Sequence, residues 1–459
     1  MKALCNFSVF AVLAVFFLYA CDTGGSNNSC PNGMWLNEDG VCVGEPTDGQ
    51  CQSGFVLNEN GQCVSEHTPG GKNAVLATNQ NAGRIQEMYN AWLSMYYVTF
   101  EEEAAQGVFN PDNAPERVHG TARIKSAYGT CVNGTCTVSE AIGYGMILTA
   151  LMADWEKFDR LLAYSKAWRV SGTALMRWEM VNFRSGSGGS ATDADIDIVA
   201  ALFIAYQKTN NQSYKNDAIE IGASIYQHEV HETSKLILPA MKSENWGNAS
   251  RPPIINIGAG NLYNVSYMSL PAIKMLAEYD KERNWGAVLE ANLAYMERVQ
   301  NVGAGLWPDW SDANGAATDP NNTSNSILTA SDGSRVNSWE SYYKEGPRIP
   351  WRIAWYYHWY GDPRAKAMLD KGMDFLRSRG IEAPNQIGEF YSHDGLKSSP
   401  HTNIMVWPSL CALGMGNSAN QNWLNSCNDR ILGGFNPQIR QYYPMSLQLI
   451  YAMLLNGNF

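Results

Sequence analysis

The 459-residue sequence has no cluster of lysine and arginine, and its acids outnumber its bases 44 to 33, for a formal net charge of −11. Without a basic patch it has no electrostatic footprint for nucleic acid or an anionic membrane surface. After the first twenty residues no apolar stretch is long enough to cross a bilayer. Metal signatures are missing too. "HEVHE" at 228–232 spaces its histidines i, i+3 and not the i, i+4 of a zinc-binding helix, and reads as a solvated helix end. "DADID" at 193–197 lacks the glycine and closing glutamate of a calcium loop. The expectation is a monomer without metal or cofactor. Aromatic side chains, by contrast, are plentiful, at 11% of the chain with 15 Trp. Trp and Tyr present flat apolar faces with a polar handle, which suits sugar rings, although core packing is the commoner use of any one of them.

The N-terminus reads as an export signal over residues 1–20, with Met1-Lys2 as a minimal basic start before "ALCNFSVFAVLAVFFLYA". "LYAC", Leu18 to Cys21, resembles a bacterial lipobox, which implies cleavage before Cys21 and a lipid on its sulfur. Tyr19 is unusual there, so plain secretion is the alternative. On either route the product leaves the cytoplasm, as a cell-surface or outer-membrane lipoprotein or a secreted protein, touching membrane only through the lipid. "SCPNGMWLNEDGVCV" and "QCQSGFVLNENGQCV" repeat at a 21-residue offset and pair Cys30 with Cys42 and Cys51 with Cys63. Disulfides fit an oxidising compartment, and a zinc site would have no histidine among its ligands. Residues 21–72 are thus expected to be a tether carrying two stapled beads.

From residue 73 to 459 helical periodicity recurs near 82–99, 139–153, 155–166, 192–209, 212–228, 266–281, 284–301, 338–360, 363–379, 401–414, 418–430 and 443–456. The segments alternate in character. "SEAIGYGMILTALM" and "ATDADIDIVAALFIAY" are apolar almost all round, as enclosed helices are, while "NQSYKNDAIEIGASIYQHE" and "KERNWGAVLEANLAYMERV" are amphipathic. Six enclosed helices inside six amphipathic ones describe an all-α fold, an (α/α)6 toroid, whose inner-helix ends line one mouth.

Three acids stand at the heads of enclosed helices. Asp193 and Asp197 share a helix face at i, i+4, with Asp195 pointing elsewhere. Capping by Thr192 or Asp193 would use one such residue, not three. Glu140 opens "SEAIGYGM" after Cys131 and Cys136, which can close a small loop, and Tyr144 lies one turn on. Desolvation in an apolar, aromatic mouth raises a carboxyl pKa, as a general acid requires. Glu345 precedes Arg348 by three residues in "KEGPRIPWRIAW". Two carboxylates flanking a sugar bond are what glycoside hydrolysis needs.

These stretches, in order along most of residues 80–459, resemble glycoside hydrolase family 8, the inverting (α/α)6 enzymes that cut β-1,4-linked glucan, xylan or chitosan. By that resemblance "TVSEAIGYGM" makes Glu140 the proton donor, and "ATDAD" makes Asp193 the residue holding the sugar at the cleavage subsite. "GTALMRWEM" puts Trp178 at a stacking position, "NVSYMSLPA" puts Tyr267 on a subsite wall, and "GLWPDW" is another family-like segment. In "KEGPRIPWRIAW" the base falls at Glu345 and the substrate contact at Arg348. "IRQYYPMSLQLIYAMLLNGNF" closes the chain as in the family, and its Tyr442 and Tyr443 join Tyr144 on the substrate side. The departures are Ala141-Ile142 for Gly-Gln, Val199 for Ala, Thr209 for an aromatic, Lys344 for an aromatic, and Glu345 for Asp. Because some branches take the base from a nearby loop, Asp309, Asp312 and Asp332 are alternatives. The implied function is an endo-β-1,4-glucanase of cellulose or lichenan type acting on β-linked polysaccharide. A xylanase or chitosanase, or an inactive glycan-binding lipoprotein, is the alternative.

Overall fold

The computed structural model describes residues 73–126, 135–248, 251–320, 326–436 and 441–459, together with four short strands nearer the N-terminus. The chain divides into two compact units, Met1–Thr68 and Pro69–Phe459. In the first, Met34–Leu36 pairs with Cys42–Gly44 and Phe55–Leu57 with Cys63–Ser65, one antiparallel hairpin per sequence repeat. Val43 lies opposite Val64, so the repeats share one four-stranded sheet where the sequence suggested separate beads. The leader, Cys21, the Cys30–Cys42 and Cys51–Cys63 pairings and Cys131 fall outside the described side chains.

The second unit is built from α1 (Ala82–Tyr96), α2 (Phe100–Ala105), α3 (Ser139–Leu151), α4 (Trp155–Ala167), α5 (Thr192–Thr209), α6 (Gln212–His228), α7 (Leu270–Tyr279), α8 (Trp285–Val302), α9 (Ile349–Tyr360), α10 (Pro363–Ser378), α11 (Val406–Cys411), α12 (Gln421–Gly434) and α13 (Tyr442–Leu455). Helices α3, α5, α7, α9, α11 and α13 touch in that order, and α13 returns to α3, closing an inner ring. Around it α4 packs on α3, α6 on α5, α8 on α7, α10 on α9, α12 on α11 and α13, and α1 on α13. This is the (α/α)6 toroid. None of the described helices is long and apolar enough to cross a membrane.

The ring follows from the sequence pattern. Every residue of α3 except Glu140 is buried, and so is every residue of α5 from Thr192 to Tyr206. Enclosed helices have no solvent side and therefore no polar stripe. The outer α10 buries Ala365, Met368, Leu369, Gly372, Met373 and Leu376, an i, i+3, i+4, i+7 stripe, and turns its charges outward. At Gly143 a Cβ would sit 3.1 Å from the Cβ of Asp197 and 3.3 Å from the Ala194 carbonyl, so this glycine lets α3 and α5 approach closely. The disulfide Cys411–Cys427 ties α11 to α12.

Three helix starts differ from the periodicity. The segment expected from 338 begins as helix only at Ile349, after a strand at Ser341–Tyr342 and a 3-10 turn at Gly346–Arg348. Pro347 and Pro350 have no N–H to give, and the amides of 343–346 bond elsewhere. The segment expected from 266 starts at Leu270, beyond a 3-10 turn at Val265–Tyr267, and that expected from 401 starts at Val406. The unit also holds short antiparallel strands that helical periodicity does not reveal. The most consequential sheet runs Cys136–Val138, Arg177–Val181, Ser185–Ser190, with Val138 opposite Glu179 and Arg177 opposite Ser190. Its first strand leads straight into α3, and its last leads into α5.

Candidate active site

The heads of α3, α5, α9 and α13 converge, and each brings one or two of the residues singled out in the sequence. Helix N-termini carry partial positive charge, which favours acids there. Glu140, in the first turn of α3, keeps 16% of its side chain exposed. Asp193, in the first turn of α5, is 4% exposed. No side chain caps α5, and the Asp193 Oδ1 accepts only the adjacent Ala194 N–H (2.9 Å).

The cation absent from the neighbouring sequence arrives from the head of α9. Arg348, 1% exposed, donates through Nη1 to Glu140 Oε2 and to Asp193 Oδ2, both at 2.5 Å. Its Nη2 pairs with Glu345. One guanidinium thus joins three carboxylates from three elements, and its Cζ lies 5.0 Å from the Tyr267 ring centroid and 5.9 Å from that of Tyr443. One turn on, Arg352 pairs with Asp197 (2.5 Å) and also bonds the Ser266 carbonyl. An i, i+4 pair of aspartates on α5 meets an i, i+4 pair of arginines at the start of α9. The middle acid, Asp195, faces away and accepts the Met176 N–H at 2.8 Å.

Glu140 is held from a second side by the Tyr442 hydroxyl, which donates to Oε1. Burial pushes the Glu140 carboxyl up to about 7; Arg348 and the Tyr442 bond pull it down, and the Asp193 charge pushes it further up. A carboxyl that retains its proton near neutral pH can serve as an acid. Glu345, with 22% of its side chain exposed, also accepts from Asn264 Nδ2 at 3.0 Å. Asn264 is fixed in turn by the Ser266 N–H and hydroxyl (3.0 and 2.6 Å).

The aromatic residues are distributed unevenly. Tyr144 is fully buried one turn below Glu140, with its ring 6.3 Å from that of Tyr443. Tyr443 is half-buried and donates to the Lys344 carbonyl at 2.5 Å. Tyr267 is half-buried 6.3 Å from Trp310, which itself meets Trp246 edge-on at 5.7 Å. Trp178 is half-buried on the strand beside the one that delivers Glu140.

The alternative acids stand apart from the open part of the site. Asp309 is 1% exposed and accepts only backbone N–H groups of residues 343–346. Asp312 accepts the N–H groups of Asn314 and Ala316 (2.8 and 3.0 Å) in its own loop. Asp332 is exposed and bound to Lys397 and Ser334. One sequence reading is overturned in part: α6 does end at His228 and Glu232 is exposed, but two residues between them are not solvated. Within "HEVHE", Glu229 and Val230 are buried at 0% and 2% exposure, because the chain doubles back after α6 and pairs Val230 with Ile237. The Glu229 Oε1 accepts the Ser190 hydroxyl (2.5 Å), and burial pushes the Glu229 carboxyl up to about 8. Asp195, in the same buried group, is raised by burial and by the Glu229 charge. Among the described residues no group of three or more His, Cys, Asp or Glu is arranged to hold a metal ion.

Asn264, Glu229 and the bond from Tyr442 to Glu140 were not read from the sequence. Asn264 lies 81 residues from its partner Glu345, and Tyr442 lies 302 from Glu140. Cys136 is disulfide-bonded at the entry to α3.

A closed ring of six helix pairs, with carboxyls and tyrosines gathered at the heads of its inner helices, defines the class of protein. The family model described as Glycosyl hydrolases family 8 matches residues 123–450, and the chain belongs to that family. It is 28% identical over 333 residues to "Endoglucanase A" of Acetivibrio thermocellus, an alignment that covers 70% of this chain and 62% of that one. The chain therefore spans less than two thirds of that relative's length. Among solved structures it resembles a β-1,3-1,4-glucanase from Paenibacillus sp. X4, with a TM-score of 0.67 at 23% identity over 86% of this chain and 97% of the other. Rex8A from Paenibacillus barcinonensis, complexed with xylose, matches with a TM-score of 0.59 at 16% identity over 82% of this chain and 93% of the other.

Proposed function

We propose that the chain is an inverting, endo-acting glycoside hydrolase that cleaves β-1,4-linked glucan of the cellulose or lichenan type. The observation that carries this reading is the single Arg348 joining Glu140, Asp193 and Glu345. Three acids share that one cation, and burial pushes the Glu140 carboxyl up to about 7, so Glu140 can hold a proton. It gives that proton to the glycosidic oxygen as the C1–O bond breaks. Glu345 draws a proton from a water on the opposite ring face, and that water closes on C1 with inversion. Such a pair of carboxyls stands about 6.5–9.5 Å apart to make room for the water. Asp193, fixed by Arg348, hydrogen-bonds the distorted sugar and offsets positive charge developing on its ring.

The choice of glucan is supported by the relatives, which carry the names endoglucanase and beta-glucanase. The fold neighbour complexed with xylose keeps xylan as the second reading. Reducing-sugar release from carboxymethyl-cellulose, lichenan, xylan and chitosan, measured in parallel with the anomer of the new end by NMR, tests both. The proposal expects α-anomeric ends from the two glucans. Release from xylan alone would move the assignment to xylanase, and binding without release from any polymer would make the protein a glycan-binding module.

A further inference from the structure

The turn carrying Glu345 is organised around a buried acid that belongs to a different segment. Asp309 follows Trp307-Pro308, and its Oδ1 accepts the N–H groups of Tyr343 (3.0 Å), Lys344 (3.1 Å), Glu345 (2.9 Å) and Gly346 (2.9 Å). Its Oδ2 accepts Lys344 N–H again at 2.9 Å. The backbone N–H of Asp309 completes the clamp by donating to the Ser341 carbonyl at 2.8 Å. Successive amides that converge in this way form a concavity suited to an anion. Here the anion is supplied by the chain itself.

The opposite side of the turn is fixed as well. The Lys344 carbonyl accepts from Tyr443, and the Glu345 carbonyl accepts the Arg348 N–H at 3.0 Å. Only the Glu345 side chain is left to adjust, between Arg348 and Asn264. Asp309 itself is in no position to activate water. It is 1% exposed, and both oxygens are occupied by backbone donors; burial pushes its carboxyl up to about 7, and those bonds pull it back down.

We propose that Asp309 is a positioning residue for the catalytic base: it gathers the amides of residues 343–346 and so fixes where the Glu345 carboxylate stands relative to Glu140. This rests on the reading of Glu345 as the base, and the two are separable by experiment. Asp309→Asn keeps the shape but turns an NH2 toward amide donors, so the turn shifts. Misplacing a reacting group by about 1 Å costs about 10²-fold in rate. For Asp309→Asn on lichenan, the expected result is a kcat lower by about that factor, KM little changed, and a moved acid limb in the pH profile of kcat/KM. Adding Asp309→Asn to Glu345→Gln should cause no further loss, because both act through one group. If Asp309→Asn does not fold, Asp309→Glu, which keeps the charge but lengthens the reach, should show the same moved limb.

Azide separates the roles. In Glu345→Ala it can enter the vacated space and attack C1 as Glu140 protonates the leaving oxygen, giving an α-glycosyl azide. In Asp309→Ala no such product is expected. A folded Asp309→Asn with normal kcat and an unmoved limb would overturn the inference while leaving Glu345 as base. An α-glycosyl azide from Asp309→Ala but not from Glu345→Ala would make Asp309 the base and overturn both. Full turnover in Glu345→Gln would remove the base reading and this inference with it.

Discussion

Arg348 is asked to satisfy three carboxylates with two terminal nitrogens, and in the proposed mechanism Glu140 resolves the mismatch by holding a proton. Its raised pKa, about 7, means the protonated form persists well above the range where an exposed glutamate ionises. Because the acid must carry its proton into the reaction, kcat/KM should decline as pH rises through about 7, and a profile flat from pH 6 to about 9 would contradict the assignment. Glu140→Gln keeps the shape without a transferable proton. Turnover on lichenan should fall by about 10²–10⁴-fold while oligosaccharide binding, followed by Trp fluorescence, is retained. Glu140 and Asp193 could be singled out because "SEAIGYGM" and "ATDAD" resemble family segments, since an acid at a helix head can also be there simply for the helix dipole. Arg348 and Tyr442 were legible as substrate-side residues, but not their bonds to these acids. Asn264 looks like any asparagine until the fold carries it across 81 residues to Glu345.

Among the elements, the inner and outer helices were legible and the sheet feeding them was not. Helices α3, α5 and α13 declare themselves by having no polar face, and α10 by having one. The strand Ser185–Ser190 is made of glycine and serine, residues of poor strand propensity, and reads as a loop. Backbone pairing to Arg177–Val181 overrides that propensity, and the Trp178 side chain occupies the space where a Cβ on Gly188 would project. Gly188 also has φ +72°, which an L side chain adopts at a cost. Gly188→Ala should therefore push Trp178 from its place and loosen the link between the strands that deliver Glu140 and Asp193. Stability should drop by about 1–3 kcal/mol in urea unfolding, with a kcat lower than in wild type. A variant with unchanged midpoint and unchanged kcat would show that the sheet does not align the two acids.

For the whole molecule, the acids buried behind the site link folding to pH. Glu229 has a folded pKa of about 8 against an ordinary value of 4.5, with burial as the main cause. The native state therefore keeps a proton that the unfolded chain releases. This contribution to stability is present below about pH 4.5 and is lost as pH rises toward about 8. Glu229→Gln preserves the bond from Ser190 and abolishes the titration. The melting temperature of the variant should gain on wild type as buffer pH goes from about 5 to about 8, and parallel curves would show that Glu229 does not titrate in that range.

The bond between Tyr442 and Glu140 joins the last inner helix to the first, with 302 residues between them. Synthesis begins at the N-terminus, and domains tend to fold as their residues emerge. On the ribosome, then, Glu140 is made early, but α13, which completes its surroundings and shuts the ring, is made late. A chain interrupted before α13 lacks the tyrosine that holds Glu140 in place. Truncated products thus lack both the hydroxyl that Glu140 accepts from and the helix that closes the inner ring.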